Sequence, residues 1–260
     1  MSRLVTVAVF LALVLALACD SGTPGPGQVR IANLIPDGVA LDVCITPSSA
    51  ATFGTPLIGG GGLSYPQLST RSAFDAGTYS VRLVQAGSNS CATSLNGLRD
   101  LSTAISADSP QTLVLAGRFT GSGNPSLTVM VTVDRIAPSA SGSVLLRAMN
   151  AALGSNPQDT GVVGGQVFSP FATNVAYGTV SDYQQRSGIT PGSPTVTAPV
   201  ASRDTGSGPV WAQSTFTNLS DTGVYTVFVI GIPGQSGTPR PSLLLCADNS
   251  ANNSVNCSNP

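Results

Sequence analysis

The chain has 260 residues, enough for one or two domains, and only 9% of them are charged, against about 25% in an ordinary soluble domain. Every basic residue is Arg and every acidic one Asp; Lys, Glu and His do not occur, and the formal net charge is −1. These absences exclude Ser-His-Asp and Cys-His machinery, Ser-Lys pairs and Schiff bases. The lack of any basic run leaves no electrostatic footprint for nucleic acid.

Residues 1–18 read as a secretory signal peptide, with Arg3 as the basic region, an apolar stretch from Leu4 to Leu17 broken only by Thr6, and small residues before Cys19. The stretch is shorter than the roughly 20 residues a membrane span needs. Ala16-Leu17-Ala18 suits ordinary signal peptidase. The junction also resembles the lipobox of bacterial lipoproteins, with Ala16 where that box usually has Leu. Cysteine parity favours the second reading. There are five cysteines, and assigning Cys19 to lipid leaves Cys44, Cys91, Cys246 and Cys257 as an even set for an oxidising compartment. Residues 19–27, rich in Pro and Gly, then form a flexible tether. The expectation is export and a lipid anchor at the membrane, on the periplasmic face or the cell surface.

After the tether the chain alternates short β-type runs with turn residues, the pattern of a sandwich or barrel. Val29–Asn33 alternates, and Ala40–Ile45 follows the turn at Pro36-Asp37-Gly38. Tyr79–Val84 places Tyr79, Val81 and Leu83 on one face. Thr112–Ala116 and Leu127–Val133 are apolar enough for central strands. Gly59–Gly62 lacks the Lys and the helix of a phosphate-binding loop and reads as a flexible loop. No segment beyond the leader carries a capped helical period.

The second half repeats this layout. Arg30-Ile-Ala-Asn33 matches Arg147-Ala-Met-Asn150, Leu63-Ser-Tyr65 matches Val175-Ala-Tyr177, Thr112–Gly117 matches Thr226–Gly231, and Pro125-Ser-Leu127 matches Pro241-Ser-Leu243, at offsets of 117, 112, 114 and 116 residues. Four blocks in one order argue for a tandem duplication. The expected plan is all-β: two tandem antiparallel β-sandwiches of Ig-like or Greek-key type, over residues 28–136 and 143–248, joined by the linker-like Ala137–Gly142. A polar tail over residues 249–260 follows. The stretch from Gly188 to Pro209 reads as a long surface loop.

Val29-Arg-Ile-Ala-Asn-Leu-Ile-Pro-Asp37, Ala40-Leu-Asp-Val-Cys44, Leu63-Ser-Tyr65 and Ala76-Gly-Thr-Tyr-Ser-Val81 resemble the family named domain of unknown function 4397. Members of that family occur in extracytoplasmic bacterial proteins, often as tandem copies. The resemblance covers nearly all of residues 28–134 and only thinly 143–247, where Thr222-Gly-Val-Tyr225 falls too late in the repeat to match the Gly-Thr-Tyr79 motif. It implies a β fold and supplies no catalytic residues.

Cys44 on the second strand is expected to pair with Cys91, and Cys246 with Cys257 across the polar tail; the loop-closure model assigns these about 4 and 3 kcal/mol. No Cys-x-x-Cys spacing or His suggests a metal, and no cofactor is expected. Asp-Thr-Gly occurs at Asp159, Asp204 and Asp221, but none is entered by an apolar residue and all lie in the second half, so they read as turns rather than a protease dyad. Calcium at Asp248, Asn249 and Asn252 lacks the spacing of a calcium loop. Trp211 alternates like a core residue, and Tyr183, in a polar setting, is the candidate ligand contact. The sequence therefore points to a non-catalytic envelope module for structural or adhesive interactions, with an envelope protein as partner. A polysaccharide-binding surface module is the alternative.

Overall fold

The structure, a computed structural model, describes residues 24–119, 124–188, 196–206, 208–236, 239–250 and 257–258. The leader, Cys19 and Asn252 lie outside the described residues. The fold is all-β, in two sandwiches.

In the N-terminal sandwich the strands are β1 (Gly27–Asn33), β2 (Leu41–Pro47), β3 (Gln67–Leu68), β4 (Ser72–Phe74), β5 (Gly77–Gln85), β6 (Leu101–Ile105), β7 (Pro110–Ala116) and β8 (Thr128–Val133). One sheet runs β3-β1-β7-β8, with β4 also on β1; the facing sheet runs β2-β5-β6. Alternation along each strand sends Val29, Ile31, Leu113 and Leu115 inward to meet Val43, Val81, Leu83, Leu101 and Ile105. The C-terminal sandwich comprises β9 (Ser143–Asn150), β10 (Gln158–Gly164), β11 (Val167–Val175), β12 (Gln184–Ser187), β13 (Val196–Asp204), β14 (Val210–Leu219), β15 (Val224–Ile230), β16 (Ser242–Ala247) and β17 (Cys257–Ser258). Its sheets run β12-β9-β15-β16-β17 and β11-β10-β13-β14. Their core joins Leu146, Val227, Val229 and Leu245 to Phe171, Val200 and Phe216.

Corresponding strands share one plan. β1 lies parallel to β7, and β9 parallel to β15; every other pairing between named strands is antiparallel. A parallel pair needs a long crossover, and here it is supplied by the facing sheet. The matched sequence blocks have local causes. Asn33 Nδ2 donates to the Leu63 carbonyl and its Oδ1 accepts from Ile35 N; Asn150 does the same with Val175 and Ala152. Gly117 and Gly231 hold φ of 109° and 98°, and a Cβ at either would stand within 2.3 Å of a backbone oxygen, so each block must end on glycine.

Three expectations change. The stretch from Gly188 to Pro209 contributes β13, which lies between β10 and β14, so it is not simply a surface loop. Its Pro199 escapes the usual exclusion from inner strands because pairing with β10 stops at Val200. The tether ends early: Gly25 N donates to Asp108 and Gly27 opens β1. The tail returns to the sheet as β17, in register with β16 at Leu245 and Cys246.

The sandwiches also share a third core. The outer faces of their larger sheets meet along a seam in which Ala32, Leu34, Val114 and Ala116 pack with Met149, Phe228, Ile230, Leu244 and Cys246. The inner strands β1, β7, β9, β15 and β16 are therefore buried on both faces, which explains their near-continuous apolar runs. Phe228 is fully buried in this seam. We expect Phe228→Ala to cost about 3–5 kcal/mol in guanidinium unfolding. Limited proteolysis between residues 137 and 142 should accelerate in the same variant, since the void opens between the sandwiches.

Candidate functional site

Polar chemistry concentrates at one end of the seam. Arg30 on β1 donates through Nε to Thr112 Oγ1 at 2.7 Å, and Thr112 donates on to Asp134 Oδ2 at 2.7 Å. In the other sandwich Arg147 donates to Thr226 at 2.8 Å, and Thr226 to Asp248 at 2.6 Å. The outer guanidinium nitrogens cross over. Arg147 Nη2 reaches Asp134 at 2.6 Å, and Arg30 Nη2 reaches Asp248. The Nη1 atoms donate to the carbonyls of Val133 and Ala247 respectively. Each sandwich thus offers an Arg and an Asp and receives the same pair from its neighbour.

One position breaks the correspondence. Arg71, just before β4, donates to Asp134 at 2.7 Å; Tyr183, just before β12, donates to Asp248 at 2.8 Å and lies under the Arg147 guanidinium, 4.4 Å from ring centroid to Cζ. The cluster holds three guanidiniums and two carboxylates, and a fourth Arg in place of Tyr183 would add an unpaired buried charge. Burial opposes ionisation of Asp134, but Arg30, Arg147, Arg71 and Thr112 together hold its carboxyl below the usual range. Complete burial pushes Asp248 upward; Arg30 pulls against it while Asp134 adds repulsion. Burial also pushes the Tyr183 hydroxyl well above its ordinary value.

The candidates read from sequence fall elsewhere or inward. Tyr183 spends its hydroxyl on Asp248 and on the Arg135 N–H, so its chemistry belongs to the seam rather than to an open loop. Asp248 faces arginines and Asn249 caps Val224 N, and no metal-holding group of His, Cys, Asp or Glu occurs among the described residues. Asp159 accepts from Asn174 N and Gly206 N, Asp204 from Gln158, and Asp221 from Gly142 N. Gln158 pairs with Asp204 across β10 and β13, so Asp159, one residue on, points to the opposite face and the two carboxyls do not meet. The glycine run is anchored: the buried Asp42 carboxylate accepts from Ile58 N and Gly59 N. Trp211 packs, half-buried, against the C-terminal core. Both disulfides form as paired from sequence, Cys44–Cys91 and Cys246–Cys257, with Cα separations of 6.0 and 4.1 Å. They fit an oxidising compartment.

A surface cleft of about 550 Å³ lies over the Cys44–Cys91 disulfide between Phe53, Arg82, Ser80, Asn89 and Asp100. Arg82 forms a two-pronged pair with Asp100, both contacts 2.7 Å, and stacks on the Phe53 ring at 4.3 Å. Arg203 covers Phe168 in the same way.

With strand order, disulfide and motif residues in place, the family profile described as Domain of unknown function (DUF4397) matches residues 27–160. The chain belongs to the DUF4397 family. The match runs from β1 through the seam strand β9 into β10, so it takes in both sides of the junction. No curated protein sequence matches the chain. Among solved structures, a leucine-rich repeat protein from Bacteroides thetaiotaomicron VPI-5482 is 11% identical with a TM-score of 0.19, covering 78% of this chain and 25% of that one. A candidate cell adhesion protein from Bacteroides fragilis NCTC 9343 is 9% identical with a TM-score of 0.21, covering 90% of this chain and 97% of that one. Likenesses at this level carry no argument about function.

The opposed shifts of the two seam carboxyls fix the sign of the acid response. Asp134, with its depressed value, contributes stability that is complete above the ordinary carboxylate value of about 3.9 and lost as pH falls through its folded value. Asp248, with its raised value, contributes in the opposite sense: stability present at low pH and lost as pH rises through its folded value. We expect Asp134→Asn to cost about 3–5 kcal/mol near neutrality, because it strands Arg71 and Arg147. Urea midpoints measured against pH should then show a flatter acid limb than in the unsubstituted chain.

Proposed function

We propose that this DUF4397 protein is an exported lipoprotein, anchored through Cys19, that holds a rigid two-sandwich body outside the cytoplasm as a non-catalytic structural or adhesive module of the envelope. We read the two sandwiches as copies of one domain. The observation that carries the reading is the reciprocal Arg–Asp seam, which spends the strongest buried polar groups on locking the copies together. Consistent with it, the three Asp-Thr-Gly carboxylates each serve a neighbouring turn or strand end. The two disulfides fit the oxidising side of a membrane, and no helix among the described residues is long and apolar enough to cross one.

The polysaccharide-binding alternative draws on the polar cleft beside Phe53. It has less support, since a sugar stacks on an uncovered aromatic face and Arg82 already lies over that ring.

The anchor is tested directly. Cells expressing the full chain should incorporate labelled palmitate into membrane-fraction protein, and Cys19→Ser should abolish the label and release processed protein. An unmodified Cys19 on soluble, processed protein would overturn the reading.

A further inference from the structure

The C-terminal sandwich covers one edge of its seam sheet with its own chain. β17 pairs with β16 at Leu245 and Cys246, and the Cys246–Cys257 disulfide pins it there. In the N-terminal sandwich β8 holds the corresponding place beside β7, and among the described residues no strand pairs with its outer side. Val131 is 41% exposed, Val133 57% and Ile136 54%.

Edge strands in soluble proteins carry charges, prolines or bulges that discourage further pairing. β8 reads Thr-Val-Met-Val-Thr-Val and has none of these. Its polarity of pairing is fixed by Asp134 N, which donates to Pro110 O at 2.7 Å. By the two-residue alternation, the backbone groups of Thr132 and Met130 also face β7, and those of Val129, Val131 and Val133 face outward. The Val133 carbonyl already accepts from Arg147 at 2.7 Å. Val129 and Val131 remain as outward donor–acceptor pairs.

We infer that β8 is a strand-pairing surface for a second copy of this chain, adding antiparallel to β8 of that copy about a local twofold axis at Met130. In that register the outward groups of Val129 bond those of Val131 in the other copy, and the reverse. Thr128 lies opposite Thr132, a favourable cross-strand pair, and no like charges meet. The two valines of each copy fall on one face and extend the N-terminal core, which Val129 already touches. A twofold contact of this kind closes at two copies rather than propagating, and the covered edge at β16 shows the geometry that an added strand takes in this fold.

The test uses the full mature chain carrying Cys19→Ser, so that it is soluble, in sedimentation velocity from low to high micromolar concentration. A reversible monomer–dimer equilibrium is expected. Val131→Lys, which places a charge in the new ladder, should abolish it with an unchanged urea midpoint. Val131→Pro removes only the outward N–H, which an edge strand tolerates, and decides the matter should the lysine variant fold poorly. A chain that stays monomeric throughout, or a dimer that survives in the folded variants, would overturn the inference.

Discussion

A guanidinium taken out of water must be paired where it lies, because an unpaired buried charge costs several kcal/mol. Arg30 and Arg147 are 4% and 3% exposed, and neither finds its nearest carboxylate in its own sandwich, where Arg30 stands 3.4 Å from Asp134. Within its own sheet each finds a threonine hydroxyl; the carboxylate with the closest approach belongs to the other sandwich. The relative placement of the two halves follows from this requirement. A slide along the seam would separate both ion pairs at once, and a rotation would separate at least one.

The apolar part of the seam supplies attraction without direction. Phe228, Ile230 and Leu244 against Ala32, Val114 and Ala116 would tolerate several offsets on hydrophobic grounds, since burial is non-directional. The charged end selects one of them. Arg71 and Tyr183 refine the choice: two N-terminal sandwiches placed face to face would gather four arginines around two aspartates, whereas the mixed pair gathers three. The departure from symmetry at this one position favours the pairing of unlike halves.

Much of the plan was legible in the sequence, and the reasons differ by element. β1, β2, β5, β7 and β8 could be read because their alternation and turn residues are local signals, although β8 lies at the edge of its sheet and not at its centre. The disulfides could be read because parity and spacing left few choices. β13 was missed because Val196–Asp204 is sparse in large apolar residues and contains Pro199; its pairing partners, not its propensity, hold it in the sheet. The seam was visible only in part. Thr112–Ala116 and Thr226–Ile230 were too apolar for strands with one wet face, but a single sequence does not say what covers the second face. Arg30 and Arg147 stood at the head of the first matched block, and Tyr183 stood out for its polar setting. The signal that would have joined them is that a charged residue repeated inside an apolar strand must have a buried partner. The anchor at the start of the glycine loop is not a local signal, because the carboxylate that accepts from Gly59 N, that of Asp42, lies 17 residues earlier.

The position of Gly27 has a mechanical meaning. The chain enters the body on β1, and its first residues are flanked at once on both sides, by Phe74, Ala73 and Ser72 of β4 and, from Gln28 onward, by Pro110 and Gln111 of β7. A pull applied at the N-terminal end along that strand is a shear: it strains both ladders together instead of opening them bond by bond. Three residues further in, the load meets Arg30, whose hold is on the opposite sandwich. Tension at the entry strand is thereby shared between the two halves, and a body built this way resists being drawn out from the end by which it would be tethered.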